Sequence, residues 1–351
     1  MKGFLRTICT IAFFAAIIPC FLSAKEAILA GDAQGFAYNI TVHYNDSPCP
    51  GDAVFVRMDF SQTMGQAERE RIDLTAATAT LELYLGEKRL DKAEFYLINN
   101  NKIIDFQNNM TGGNSEDLLA KETFLAGIPL SSWWTRNDGY SLKISYAMED
   151  KKQFHFTLPF NLTNKDFVSE TIPLDSRNTG IRTNTSATRM AQIEKLNKVL
   201  ATTNYEHAFQ TTPYTPPTPA TRRTSFFADR RVFAYSDGTS ATSLHYGIDY
   251  GVPTGSTVTA CAKGRVVMAE DRISTGWSVV IEHLPGLYSL YYHMSELKVK
   301  EGDMVEAGDL IGLSGATGLA TGPHLHWEMR LNMSAVNPDF FTGDFTFSAI
   351  K

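Results

Sequence analysis

Cysteine is scarce in this chain, with four among 351 residues, and two of them, Cys9 and Cys20, lie inside the apolar N-terminal stretch. That leaves Cys49 and Cys261, in different predicted domains. An exported location would allow one disulfide between them, but two separately buried thiols are expected. Ile-Ile-Pro before Cys20 is a poor match to a lipobox, so a lipid-attachment site there is discounted. Blocks of Lys and Arg are missing as well, and the formal net charge is −6, so no nucleic-acid partner is expected. Beyond the N-terminus no apolar run is long enough to span a bilayer. No helical His-Glu-x-x-His pattern occurs, so a glutamate general base on a helix is not available.

The N-terminus itself is informative. Lys2 and Arg6 precede an apolar run from about Thr7 to Leu22, followed by Ser23-Ala24-Lys25. This is the charged, apolar and small-residue pattern of a secretory signal, residues 1–24, with cleavage expected after Ala24 and no stable membrane insertion afterwards. Leu22 at the −3 position leaves an uncleaved anchor as the alternative, although the run is short for a spanning helix. The expected location is therefore exported, periplasmic or cell-envelope associated. Apolar residues make up 43% and charged residues 20%, ordinary for globular protein, and the length calls for two domains with a linker.

Residues 25–165 read as strands. Val54, Val56, Met58 and Phe60 alternate with Phe55, Arg57 and Asp59. Ala79, Leu81, Leu83 and Leu85 repeat the pattern, as do Tyr140, Leu142, Ile144, Tyr146 and Met148, and then Phe154, Phe156, Leu158 and Phe160. Period-two alternation with turns such as Asn137-Asp138-Gly139 between the runs predicts an all-β sandwich. His155 should face solvent, and Trp133-Trp134 is read as buried aromatic rather than as a carbohydrate-stacking surface. Residues 166–221 are helix and Pro-rich linker: Met190, Ile193, Leu196, Val199 and Leu200 have helical spacing behind an N-cap at Ser186, and Thr212 to Pro219 is proline-rich linker or strap. From 222 to 345, short strands alternate with Gly turns. The fold class expected is mainly β.

Five of the eight histidines fall in that last region. His324 and His326 are alternate residues of a strand and project from one face, with Leu325 turned to the core. One of the two can bind a metal while its neighbour exchanges protons, and spacing treats them alike. His245 and Asp249, in a loop entering a strand, can converge on the same ion. Two imidazoles and one carboxylate leave a Zn²⁺ site with net positive charge, which acidifies bound water and polarises a carbonyl. His293, at a strand end, can accept the water's proton or stabilise the oxyanion. Amide hydrolysis is the chemistry these residues allow. His283 fits no role and is read as structural.

His245-x-x-x-Asp249, Tyr-Tyr-His293-Met and Gly-Pro-His324-Leu-His326 resemble the lysostaphin-type zinc metallopeptidases, which cut peptide cross-links in bacterial cell walls. Residues 247–258, 301–312 and Ser314-Gly-Ala-Thr-Gly match too, so the resemblance covers about 225–340. It implies that His245, Asp249 and His326 bind one zinc per chain and that His293 and His324 are the catalytic histidines. It also implies a two-sheet antiparallel β fold with an open groove, behind an Ig-like β-sandwich with a regulatory or targeting role. Trp277-Ser278 stands where the family commonly has Gly-Asn, which puts cleavage specificity in doubt more than activity. The expected function is an exported peptidoglycan endopeptidase whose partners are peptidoglycan peptides, with intramolecular inhibition by the N-terminal region as a further expectation. The alternative is a non-catalytic wall-binding or amidase-activating module of the same fold.

Overall fold

The structure is a computed structural model and describes residues 24–29, 38–62, 78–98, 122–147, 153–211 and 213–343. The signal sequence expected at 1–24 falls almost wholly outside these residues, as does Met148. Among the described residues no helix is long and apolar enough to cross a membrane.

The architecture is mainly β, as the alternation predicts. In the N-terminal part, a five-stranded antiparallel sheet runs in the order Ala24–Leu29, Tyr38–Asn45, Ala53–Gln62, Glu122–Pro129, Tyr96–Ile98. A four-stranded sheet, Lys88–Glu94, Thr78–Leu85, Tyr140–Ala147, Gln153–Pro159, packs against it. Val42, Val54, Val56, Met58, Leu81, Leu83, Leu142 and Ile144 meet in one core between the two. Each of these is fully removed from water. A fully buried side chain of this size contributes about 1.5–3 kcal/mol relative to exposure, which makes this alternation the main determinant of the sandwich.

The strand Ala53–Gln62 departs from the simple pattern. Phe55, Arg57 and Asp59 read as outward-facing, yet all three are buried. Phe55 leaves the sandwich core and stacks on Phe340, at 6.3 Å between centroids, and edge-on to Phe341 at 6.2 Å. Those two rings sit on the short C-terminal helix Pro338–Thr342, so the strand's outer face is the contact with the C-terminal part. Arg57 and Asp59 survive burial because they pair with each other, Nε donating to Oδ1 at 2.8 Å. Trp133 corrects another expectation. It is 65% exposed, with the Arg230 guanidinium 3.7 Å over its ring, while Trp134 packs partly on the sandwich core. His155 is exposed, as read. Cys261 is a free buried thiol and is not joined to Cys49, which is also buried.

The C-terminal part is built on one large antiparallel sheet in the order Arg223–Ser225, Gly247–Tyr250, Leu325–Leu331, Leu287–Met294, Gly276–Leu284, Gly264–Arg272, Met304–Val305. A small sheet, Thr257–Thr259, Leu310–Leu313, Glu296–Leu297, closes one side, and its side chains join Ile248, Tyr291, Leu325 and Trp327 in the core. Gly247 permits this packing: a Cβ there would lie 2.2 Å from the Trp327 carbonyl oxygen.

The helix expected behind Ser186 is present as Ala187–Leu200, with the Ser186 hydroxyl accepting from the Arg189 amide. It packs on the large sheet, where Leu200 meets Met268, Val280, Tyr288, Leu290 and Tyr292. A second helix, Ser176–Thr183, was not legible in its Thr- and Asn-rich sequence; Asp175 caps it by accepting from the Asn178 amide at 2.7 Å. The proline-rich stretch is a strap rather than a free linker. Tyr214 and Thr215 donate backbone bonds to Phe341 and Cys261, and Thr259 donates to Pro217. Finally, Ser169–Pro173 pairs in parallel with Arg230–Ala234, which also pairs antiparallel with Ser240–Leu244.

Candidate metal centre

The large sheet delivers the candidate residues through its register. Asp249 stands directly opposite His326, and Tyr292 opposite His326 on the other side. On the Leu325–Leu331 strand, Leu325, Trp327 and Met329 turn to the core, so His326 and Glu328 project together from the other face.

His245, Asp249 and His326 come together, each offering one donor atom, with these atoms within 4.8 Å of one another. His245 Nε2 lies 3.0 Å from Asp249 Oδ1 and 3.0 Å from His326 Nδ1, and His326 Nδ1 lies 2.7 Å from Asp249 Oδ1. All three residues are buried. The nitrogen of each imidazole that faces away from this point is engaged elsewhere. His245 Nδ1–H donates to the Phe226 carbonyl at 2.8 Å, and His326 Nε2–H donates to Glu328 Oε1 at 3.1 Å. That fixes the tautomers and leaves His245 Nε2 and His326 Nδ1 as donors for a cation, the arrangement found around metal-binding histidines. Without a cation, burial would disfavour charge on His326, but its bonds to Asp249 and Glu328 outweigh this and raise it to about 9. Burial likewise opposes charge on Asp249, yet His245 and His326 hold its carboxyl well below the usual range. The cluster therefore keeps a carboxylate aimed at positive charge.

His293 and His324 lie beside the cluster. Their ring centroids are 4.7 Å apart, and His324 Nε2 is 3.8 Å from Asp249 Oδ1. His293 Nδ1–H donates to the Thr317 carbonyl at 2.7 Å and His324 Nδ1–H to the Gly322 carbonyl at 2.8 Å, so each keeps Nε2 free as an acceptor. His293 has φ +62°, a left-handed backbone that costs a non-glycine residue energy and is typical of functional sites. Strict alternation after Tyr292 would send His293 to the opposite face; the turn in the backbone keeps its ring beside His324. Burial, reinforced by His324 and His326, lowers its pKa to about 3, so it is neutral at physiological pH. Gly315 makes room for this turn, since a Cβ there would meet the His293 carbonyl oxygen at 2.8 Å.

His283 stays apart. It is fully buried and bonds to Lys263 and Ser289, a structural position. Trp277 is 39% exposed and its amide donates to Thr317 at 3.1 Å, whereas Ser278 is buried.

Residues not foreseen as part of the site complete it. Glu328 accepts from His326, and the Arg330 Nε–H donates to Glu328 at 2.7 Å. Continuing the alternation two residues past His326 would have found Glu328. Arg231 donates to Asp249 Oδ2 at 3.1 Å and to Glu170 Oε1 at 2.7 Å. Nothing local marks Arg231 or Glu170. Tyr292 stacks flat on His326, at 5.4 Å and 4° between planes.

Residues 243–338 match the family described as Peptidase family M23. Over 95 residues the chain is 44% identical to the DD-carboxypeptidase/endopeptidase Mpg of Neisseria meningitidis serogroup B, a stretch that is 27% of this chain and 22% of that protein. Over 99 residues it is 40% identical to the peptidoglycan DD-endopeptidase ShyA of Vibrio cholerae, covering 28% of this chain and 23% of that one. The chain thus spans only about a fifth of the length of these curated relatives. Among solved structures, a putative peptidase M23 from Pseudomonas aeruginosa aligns with 85% of this chain and 96% of its own, at 18% identity and a TM-score of 0.49. Through residues 243–338, the C-terminal part of this chain belongs to peptidase family M23, of the lysostaphin type.

Proposed function

We propose that this protein is an exported zinc metalloendopeptidase that hydrolyses peptide cross-links of bacterial peptidoglycan. The observation that carries the reading is the convergence of His245, Asp249 and His326 beside two further histidines with free Nε2 acceptors. The donor set suits zinc, which takes imidazole and carboxylate ligands at about 2.0–2.2 Å and leaves one position open in catalytic sites. Zinc held by these three residues would supply Lewis acidity, acidifying water and polarising the scissile carbonyl.

The remaining work belongs to the chain. His293, neutral and with Nε2 unengaged by backbone, takes the proton of the attacking water. His293 then passes that proton to the leaving amine, and His324 beside it, when its Nε2 carries a proton, donates to the oxygen that gains negative charge. The name of the Vibrio cholerae relative supports a peptidoglycan substrate. The sandwich, of immunoglobulin-like type in this reading, serves regulation or targeting, and the basic-apolar N-terminus directs export.

The test is solubilisation of purified sacculi by the chain. Activity should vanish with chelator, return with zinc, and be lost in His326→Ala together with bound zinc by elemental analysis. Retained activity in that variant would sink the ligand assignment, and zinc-free protein that still binds sacculi would favour a non-catalytic binding module.

A further inference from the structure

Two charged residues reach the candidate metal site from outside residues 243–338. Arg231 lies on the strand Arg230–Ala234, and Glu170 on Ser169–Pro173, which belongs to the segment joining the sandwich to the peptidase domain. The two strands run parallel with Glu170 directly opposite Arg231. From there Arg231 Nη2 reaches Asp249 Oδ2 at 3.1 Å while its Nε holds Glu170 Oε1 at 2.7 Å. The side chains of Arg231 and Asp249 are only 13% and 10% exposed.

We propose that Arg231, oriented by Glu170, is a positioning residue that aims Asp249 at the metal; this rests on the zinc reading above. A carboxylate rotates about its terminal bond and can turn either oxygen toward an ion. In Asp249 the division is fixed: Oδ2 is tied to Arg231, and Oδ1 faces His245 and His326 at 3.0 and 2.7 Å. A guanidinium suits the task because its donors are planar and rigid, so one nitrogen can be anchored while another reaches the ligand. Glu170 offsets the guanidinium charge, so the pair orients Asp249 without adding net positive charge beside the cation. The same device recurs on the other ligand, where Glu328 holds His326 and is itself held by Arg330. Because Glu170 comes from the joining segment, that segment is built into the metal site rather than merely leading up to it.

The rival is a salt bridge that only staples the strand Ser169–Pro173 to the domain. Zinc affinity separates the two. The chain is stripped of metal, and its zinc dissociation constant is measured by competition with a chromogenic chelator, alongside circular dichroism and thermal unfolding of the metal-free protein. Arg231→Met should weaken zinc binding about 10–100-fold, the usual effect of losing a partner behind a metal ligand. Arg231→Lys, which keeps the charge without the fork, should recover part of it. Glu170→Gln should weaken binding less, and should add nothing when combined with Arg231→Met, because it acts through Arg231. The visible spectrum of the cobalt-substituted protein should shift in the Arg231 variants. Lowered thermal stability with unchanged zinc affinity and cobalt spectrum would overturn the proposal in favour of the staple. If Arg231→Met does not fold, Glu170→Gln, in a side chain 31% exposed, carries the same comparison. Parent protein that binds no zinc would instead overturn the zinc reading itself.

Discussion

His283 should impose a pH dependence on folding that one substitution removes. Its imidazole is fully buried, with Nδ1–H donating to the Lys263 carbonyl at 2.8 Å and Nε2 2.7 Å from the Ser289 hydroxyl. That partner set satisfies a neutral ring and includes no carboxylate to stabilise a second proton. Burial lowers the pKa from 6.5 to about 4, against a smaller opposing effect from the Lys263 carbonyl. The folded value lies below the unfolded one, so the unfolded chain binds the extra proton first. Stability from this group is complete above about pH 6.5 and is lost as pH falls through the interval down to about 4. At about 1.36 kcal/mol per unit, the loss is about 2 kcal/mol by pH 5 and approaches about 3 kcal/mol below pH 4. No discount for solvent screening applies to a side chain without exposure. In His283→Gln the titrating group is gone, and a constant penalty for altered packing replaces it. Urea unfolding of both proteins from about pH 8 to pH 4.5, without metal, isolates the effect, because every other titrating group cancels in the difference. The gap between the two should close by about 2.5 kcal/mol by pH 4.5. Parallel stability curves would refute the neutral-histidine argument.

His293→Ala should abolish sacculus solubilisation while leaving zinc stoichiometry at the parent level, since its ring contributes no donor to the three-residue cluster; loss of zinc would move it among the ligands. Gly247→Ala should destabilise the large sheet by on the order of 3 kcal/mol, read as a lowered Tm, because the new Cβ meets the Trp327 carbonyl oxygen at 2.2 Å and backbone on both strands must shift. An unchanged Tm would show that the two strands separate more easily than their packing implies.

The sequence carried the parts of this molecule that depend on local period. Leu81, Leu83, Leu142 and Ile144 alternate and form the sandwich core, and His324 and His326 alternate with core-facing Leu325 and Trp327. Ser186 marked the start of a helix that the structure contains. What period could not carry was the second face of an element. Phe55 looks like the solvent side of a strand, and only the approach of Phe340 and Phe341, nearly 300 residues later in the chain, makes it interior. Trp133 misled in the opposite direction, since exposure of a tryptophan is stabilised here by a guanidinium from Arg230 in the other part of the molecule. The helix Ser176–Thr183 contains Gly180 and few apolar residues, and its ends are secured by contacts such as Asn178 Nδ2 to the Ala320 carbonyl at 3.3 Å rather than by its own composition. Glu328 was within reach of strand periodicity, whereas Arg231 and Glu170 depend on a parallel pairing that no local pattern announces.

The candidate site combines these two kinds of information. Two of the three candidate ligands occupy adjacent strands whose register sets Asp249 against His326, with His245 just ahead of the first, and that register follows from burying Ile248, Leu325 and Trp327 on the opposite face. Folding the core therefore brings Asp249 and His326 together. Register alone does not choose which atom of each side chain points inward. That choice is made by three further contacts: the Phe226 carbonyl for His245, Arg231 for Asp249 and Glu328 for His326. With each candidate ligand held from behind, the donors lie 2.7–3.0 Å apart. Binding a cation at these donors would then not require the gathering of three mobile side chains. The entropic cost of ordering those side chains is met when the domain folds, and affinity for the metal is correspondingly coupled to the stability of the sheet.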